Sequence, residues 1–302
     1  MSTNALVRPV QKTWKSRPTI EGAGVHLRRG FGFQDPHLVD PFLLFDDFRS
    51  ENPAEFRAGF PWHPHRGIET ITYVLEGDVE HGDSMGHSGV ISSGDVQWMT
   101  GGSGIVHQEM PKGDRKGRML GFQLWSNLPR TRKMMDPRYR EVKAAEIPTV
   151  KTASGASVRL VAGELDGVRG PVRDVISDPE YLDVSLPAGK TFAHPVNADH
   201  NVFAYVFEGE GSFEPGRAAD VDEPRALGDG SVILFGPGNQ VVVTTGQKPV
   251  RFLLVSGKPL KEPIAWHGPI VMNTQDELRT AFEEFQKGTF VKAAGQRRRA
   301  EQ

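Results

Sequence analysis

Apolar and polar residues alternate through Ile68-Glu-Thr-Ile-Thr-Tyr-Val-Leu75, and the run stops at Glu76-Gly77. Period-two alternation of this length predicts a strand closed by a turn. Leu120-Gly-Phe-Gln-Leu-Trp125 repeats the pattern. Gly89-Val-Ile91 and Asp95-Val-Gln-Trp-Met99 read as two more strands around a turn at Gly94-Asp95. The period changes near the C-terminal end. There Leu278, Ala281, Phe282 and Phe285 fall at i, i+3, i+4 and i+7, which predicts a helix over Thr274–Gly288 with Thr274 as its cap. The reading is an all-β chain with a short C-terminal helix, its strands spaced for a sandwich or barrel.

A weak repeat divides the chain. Tyr73-Val-Leu-Glu-Gly77 resembles Tyr205-Val-Phe-Glu-Gly209, and Gly94-Asp-Val-Gln-Trp-Met99 resembles Gly230-Ser-Val-Ile-Leu-Phe235, at offsets of 132 and 136 residues. Two similar β units fill the chain. Polar and Pro residues break the strand pattern between Asn127 and Pro148, which predicts domains at 1–140 and 141–290 and a polar tail at 291–302. Arg297-Arg298-Arg299 in that tail reads as a solvated end before it reads as a contact for an acidic partner.

Composition narrows the function. The 302 residues carry 36 Lys+Arg against 38 Asp+Glu, a balance that disfavours direct nucleic-acid binding. The 34 Gly and 22 Pro fit many short strands joined by turns. Cysteine is absent, which excludes disulfides, thiolate metal sites and a Cys nucleophile. No run approaches the roughly 18 apolar residues of a membrane span, and the first fifteen residues lack the apolar stretch of a signal peptide. A cytoplasmic protein is expected, with the nucleus as an alternative in a eukaryote.

The candidate chemistry lies in two short runs, His63-Pro-His65 and His107-Gln-Glu109. Residues i and i+2 of a strand point the same way. His63 and His65 can therefore face one point from one strand, and His107 and Glu109 can face it from another. Three imidazoles and a carboxylate suit iron, and also manganese, nickel, copper or zinc, with coordination positions left open. Pro64 donates no ladder bond, so the first run belongs at a sheet edge or strand end.

The run from His63 to Gly77, with Glu69 between, resembles the first cupin motif, and Gly94 to His107 resembles the second. More specifically, HPHRGIETITYVLEGDVEHGDSMGHSGVISSGDVQWMTGGSGIVHQEMP resembles pirin, as do DPFLLFDDF, GFQLWSNLPRTRKMMDPRY and EPIAWHGPIVMNT. The resemblance implies a bicupin: two tandem jelly-roll-like β-barrels with one Fe(II) in the first. It carries the metal ligands onto His63, His65, His107 and Glu109, and leaves Glu69 as a structural carboxylate or one that orients a ligand imidazole. The repeat places Pro195, Asn197, Val243 and Thr245 at the equivalent positions of the second barrel, where none can serve as the same ligand. His194 and His200 lie nearby, but six residues apart and without a carboxylate partner, so a second metal is not expected.

Two functions compete under that resemblance. One is a quercetin 2,3-dioxygenase that opens a flavonol with dioxygen and releases carbon monoxide, with Glu109, or in second place Glu69, as the base for the flavonol hydroxyl. Phe60, Trp98, Met99 and Phe122 are then candidates to line a cavity. The other is a redox-sensitive regulator that binds a transcription factor or a metabolic enzyme, with Arg66 transmitting the state of the site, contacting an anionic substrate or forming an ordinary ion pair. An enzyme needs a substrate cavity beside the metal, and a regulator does not. His81 and His87 are expected in solvent, and His26, His37 and His267 have no spaced partners. Asp40, Phe42, Phe45, Asp46 and Asp47 could form a strand closing the first barrel.

Overall fold

The computed structural model describes residues 5–213 and 226–292, which leaves the Arg297–Arg299 run outside the described residues. The elements used below are, in order, β1 (Val10–Lys15), β2 (Arg17–Glu21), β3 (Val25–Phe31), β4 (Phe42–Asp47), β5 (Phe60–His65), β6 (Ile68–Glu76), β7 (Val79–Asp83), β8 (Ser88–Ile91), β9 (Val96–Thr100), β10 (Ile105–Pro111), β11 (Leu120–Asn127), β12 (Arg138–Val142) and the helix α1 (Gln275–Gln286). The strands predicted from alternation are all present, as β6, β8, β9 and β11.

The chain forms two compact units, and neither is contiguous. One holds Arg17–Ala144 and the segment from Leu260; the other holds Ala145–Pro259 and the segment up to Ser16. The boundary expected at 140/141 lies close to one crossing. The expected single cut does not anticipate the exchange of end segments, because that exchange depends on long-range strand pairing with no local signal.

In the unit that carries the histidines, a seven-stranded antiparallel sheet runs β12-β9-β6-β11-β4-β3-β2 and a four-stranded sheet runs β5-β10-β7-β8. β5 is an edge strand, as Pro64 requires. β4 lies inside the seven-stranded sheet, between β11 and β3. β6 is buried on both faces: Ile71 and Tyr73 point one way, and Thr72 and Val74 the other. The first face joins Phe45 and Phe122, whose rings stack 5.7 Å apart. The second face looks into the barrel.

α1 is the last helix or strand among the described residues of this unit. Thr274 caps it, with reciprocal bonds between Thr274 and Glu277. Leu278 and Ala281 are buried, while Phe285 is 42% exposed and meets Phe290 edge-on, 5.5 Å away. The predicted apolar face is therefore narrower than its four residues suggest.

In the other unit, β1 pairs with Ser231–Phe235 within an eight-stranded sheet, and Thr191–Pro195 pairs with Gln240–Thr244. Its core includes Leu182, Phe192, Val206, Ile233 and Phe252. The repeat seen in sequence corresponds to Asn201–Gly211 and Ser231–Phe235, which match β6 and β9. Among the described residues, no helix is long and apolar enough to cross a membrane.

Candidate metal centre

β5 and β10 are antiparallel neighbours in which His63 stands directly opposite His107. The register slips between His107 and Glu109, so Glu109 stands opposite Phe60. β10 alternates strictly in burial from Ile105 to Pro111, which turns His107 and Glu109 inward together. The ligand nitrogens of His63, His65 and His107 all lie within 4.8 Å of one another. His65 and His107 are buried and His63 half-buried.

The hydrogen bonds of the trio fix what it can bind. His63 Nδ1 lies 2.8 Å from the Pro61 carbonyl and His65 Nδ1 lies 3.2 Å from the Pro269 carbonyl. A carbonyl only accepts, so both Nδ1 atoms donate and both Nε2 atoms present lone pairs. Those Nε2 atoms are 3.1 Å apart. Two lone pairs so close repel unless a cation shares them. A proton is a poor candidate, because burial pushes His63 down in pKa, and His65 and His107 well down. His107 Nε2 is buried without a hydrogen-bond partner. Three convergent imidazoles, two of them oriented by backbone carbonyls, fit a divalent transition metal.

Glu109 is buried beside the trio but is not gathered into it. Its Oε1 accepts from Thr72 Oγ1 at 2.8 Å, and Gln123 Nε2 stands 3.5 Å from Oε2. Burial raises its pKa, and these two donors oppose the rise. Glu69 does not orient an imidazole. Its carboxylate accepts from Thr100 Oγ1 at 2.7 Å, with Arg138 at 4.0 Å, which makes it structural. Arg66 is also structural: its Nη2 donates to the Phe290 carbonyl at 3.0 Å and pairs with Glu284 at 2.7 Å.

A cavity of about 570 Å³ opens on His63, His65 and Glu109. Of the four aromatic and Met candidates, only Phe60 lines it. Phe122 and Trp98 point to the opposite face of the sheet, so their neighbours Gln123 and Gln97 face inward instead. Met99 is buried without reaching the cavity. Sequence reading missed Trp125, whose ring stands edge-on to His65 at 5.1 Å, and Trp266 and Pro269, which also line the cavity.

It also missed a row of polar residues. Arg29, Asp46, Gln123, Thr72 and Gln97 are successive cross-strand partners on β3, β4, β11, β6 and β9. One line across the inner face of the sheet is therefore polar, and Glu109 attaches to it at Thr72 and Gln123. Gln123 and Gln97 stand out as polar residues within apolar strands, but only the register aligns the row.

Two histidine expectations are corrected. His81 is buried, with Nε2 2.6 Å from Tyr139 Oη, because β7 pairs with β10 and turns His81 inward beside Glu109. His87 stays near the surface and bonds Asp83 at 2.9 Å. In the other unit, His194 does have a carboxylate partner: Glu180 lies 3.2 Å from its Nε2. The two come from different strands, which sequence spacing cannot show.

Residues 24–126 match the Pirin family and residues 181–291 match the Pirin C-terminal cupin domain. A pirin-like protein of Caulobacter vibrioides is 44% identical over 285 residues, covering 94% of this chain and 99% of the relative. Pirin-like protein 2 of Arabidopsis thaliana is 40% identical over 290 residues, covering 95% and 87%. The crystal structure of a quercetin 2,3-dioxygenase from Acinetobacter baumannii superposes with a TM-score of 0.82 at 30% identity, covering 94% of this chain and 98% of that one.

Proposed function

Because this chain belongs to the pirin family, we propose that it is an iron-dependent dioxygenase that opens a flavonol and releases carbon monoxide, as a quercetin 2,3-dioxygenase does. The observation that carries this reading is the cavity of about 570 Å³ beside the histidines, because a regulator has no need of one. The dioxygenase from Acinetobacter baumannii supports it.

His63, His65 and His107 hold the ion in this reading, with Glu109 as fourth ligand. Bound there, iron would supply a Lewis acid with coordination positions open to a substrate oxygen and to dioxygen. The chain's own residues supply the rest. Glu109 Oε2, the less firmly bonded carboxylate oxygen, takes the proton of the flavonol hydroxyl. Thr72 Oγ1 keeps Glu109 oriented by donating to Oε1. Phe60, Trp125 and Trp266 shape apolar walls for a planar ring system and exclude water from it.

The test is oxygen uptake and carbon monoxide release by iron-loaded protein with quercetin, run beside His107→Ala. Wild type should show both. His107→Ala should lose both, together with the bound metal, while its far-ultraviolet spectrum stays that of a folded β protein. No uptake by protein with iron confirmed bound would overturn the reading in favour of the redox-sensitive regulator.

A further inference from the structure

The polar row extends away from the histidines. Thr72, Gln123, Asp46 and Arg29 all line the cavity, and they stand on four neighbouring strands. Adjacent strands are about 4.8 Å apart, so three steps carry the row about 14 Å from Thr72 to Arg29. The cavity therefore has a hydrogen-bonding floor with the histidines near one end and an ionic group at the other. Its walls are apolar, with Val25, Leu27, Leu44 and Phe56 among them.

The ionic group is made of three side chains. Arg29 donates to Asp46 through Nε at 2.8 Å and Nη2 at 2.7 Å, and to Glu21 through Nη1 at 2.7 Å. Glu21 lines the cavity as well. Every guanidinium nitrogen is engaged by a carboxylate, so Arg29 is poorly placed to receive an anionic ligand. Two carboxylates against one guanidinium leave one net negative charge and unused acceptor lone pairs. A ligand group that complements this end carries hydrogen-bond donors and no negative charge.

We propose that Glu21 and Asp46, held by Arg29, form the specificity-determining anchor for the end of the substrate remote from the histidines, binding hydroxyl groups of a phenolic ring and turning away anionic counterparts. The inference rests on the flavonol reading above and deepens it. The substrate is elongated, flat and hydroxylated at its far end, and a single-ring phenol is too short to reach both ends. Asp46 and Glu21 touch neither the metal nor the bond that breaks, so they govern recognition alone.

The test is a binding titration without oxygen, read by quenching of tryptophan fluorescence, on iron-loaded and on metal-free protein. The probes are quercetin, 3-hydroxyflavone, which keeps the hydroxyl nearest the histidines and lacks the others, and a quercetin sulfated on its outer ring. Wild type should bind quercetin at least tenfold more tightly than either of the other two. Glu21→Met should shrink both gaps several-fold, and Asp46→Asn should shrink them at least as much. Should Asp46→Asn fail to fold, Glu21→Met carries the test, because Glu21 is 42% exposed and its loss strands no buried group. Equal affinities in wild type, or gaps unchanged in Glu21→Met, would overturn the anchor. Oxygen uptake without the gaps would leave the dioxygenase standing and remove the anchor. Gaps without oxygen uptake would do the reverse.

Discussion

His65 is set by its surroundings more than by its own chemistry. Burial lowers the folded-state pKa of His65 and of His107 below 6.5. Between 6.5 and those lowered values, the unfolded chain binds more protons than the folded one. Stability of the metal-free protein therefore falls as pH drops through 6.5 and is fully present above it. Burial raises Glu109 above its ordinary 4.5 instead, and its contribution has the opposite sign. The clean readout is thus a comparison. The loss of urea stability between about pH 7.5 and 5.5 should be smaller in the His65→Gln/His107→Gln double variant than in wild type. Equal losses would refute the assignment. The same residue scale shows what a sequence can disclose. The convergence of His63, His65 and His107, with Glu109 turned inward beside His107, was legible because i and i+2 share a face. Thr72 and Gln123 were not, because they reach Glu109 from strands that only register brings together. Phe122 was misplaced by one residue, and in a strand one residue is the difference between two faces of a sheet.

Elements divide by how local their causes are. The ends of α1 were readable, since a Thr cap, a Glu three residues on and a closing Gly all act within one turn. Thr274→Ala removes the acceptor for the Glu277 amide and should cost about 1 kcal/mol, measured as a lower denaturation midpoint with metal content unchanged. The attachment of α1 was not readable. Arg66, one residue past β5, is buried against Glu284 of the helix and lies 4.2 Å over the ring of Phe290. Lys133 is buried nearby, and its ammonium donates to the carbonyls of Gly67 and Val271 at 2.9 Å and to Asn127 Oδ1 at 2.7 Å. Three acceptors need three N–H donors, which the neutral amine lacks, although burial pushes Lys133 down to about 7. Lys133→Met takes the ammonium away from the Val271 carbonyl and Asn127 Oδ1, while the Gly67 carbonyl keeps the Leu128 amide at 3.2 Å. It should cost about 2–4 kcal/mol, from the penalty of roughly 1–3 kcal/mol for an orphaned buried group and more for a charged one. A midpoint equal to wild type would show that the clamp contributes nothing.

At the scale of the whole molecule, the exchange of end segments matters most. The unit with the histidines takes its hairpin at Ala265–His267 and Ile270–Met272, and α1, from beyond the other unit in the sequence. Ending the chain at Pro259 would remove the Pro269 carbonyl that orients His65, two lining residues of the cavity and the partner of Arg66. Such a protein should retain little metal by elemental analysis, and proteolysis should attack Arg17–Ala144 before Ala145–Pro259. Metal retained at the wild-type ratio would show that the segment is dispensable. The two barrels were legible in outline, because the repeat carries the strand pattern twice. The exchange was not, because it is written in pairings such as that of β1 with a strand more than two hundred residues away.

The Pro269 carbonyl has a consequence in time. A ribosome releases His63, His65 and His107 early, but the acceptor that fixes the tautomer of His65 emerges only after the whole second barrel. The order of translation therefore makes the Pro269 contact one of the last parts of the histidine site that can form.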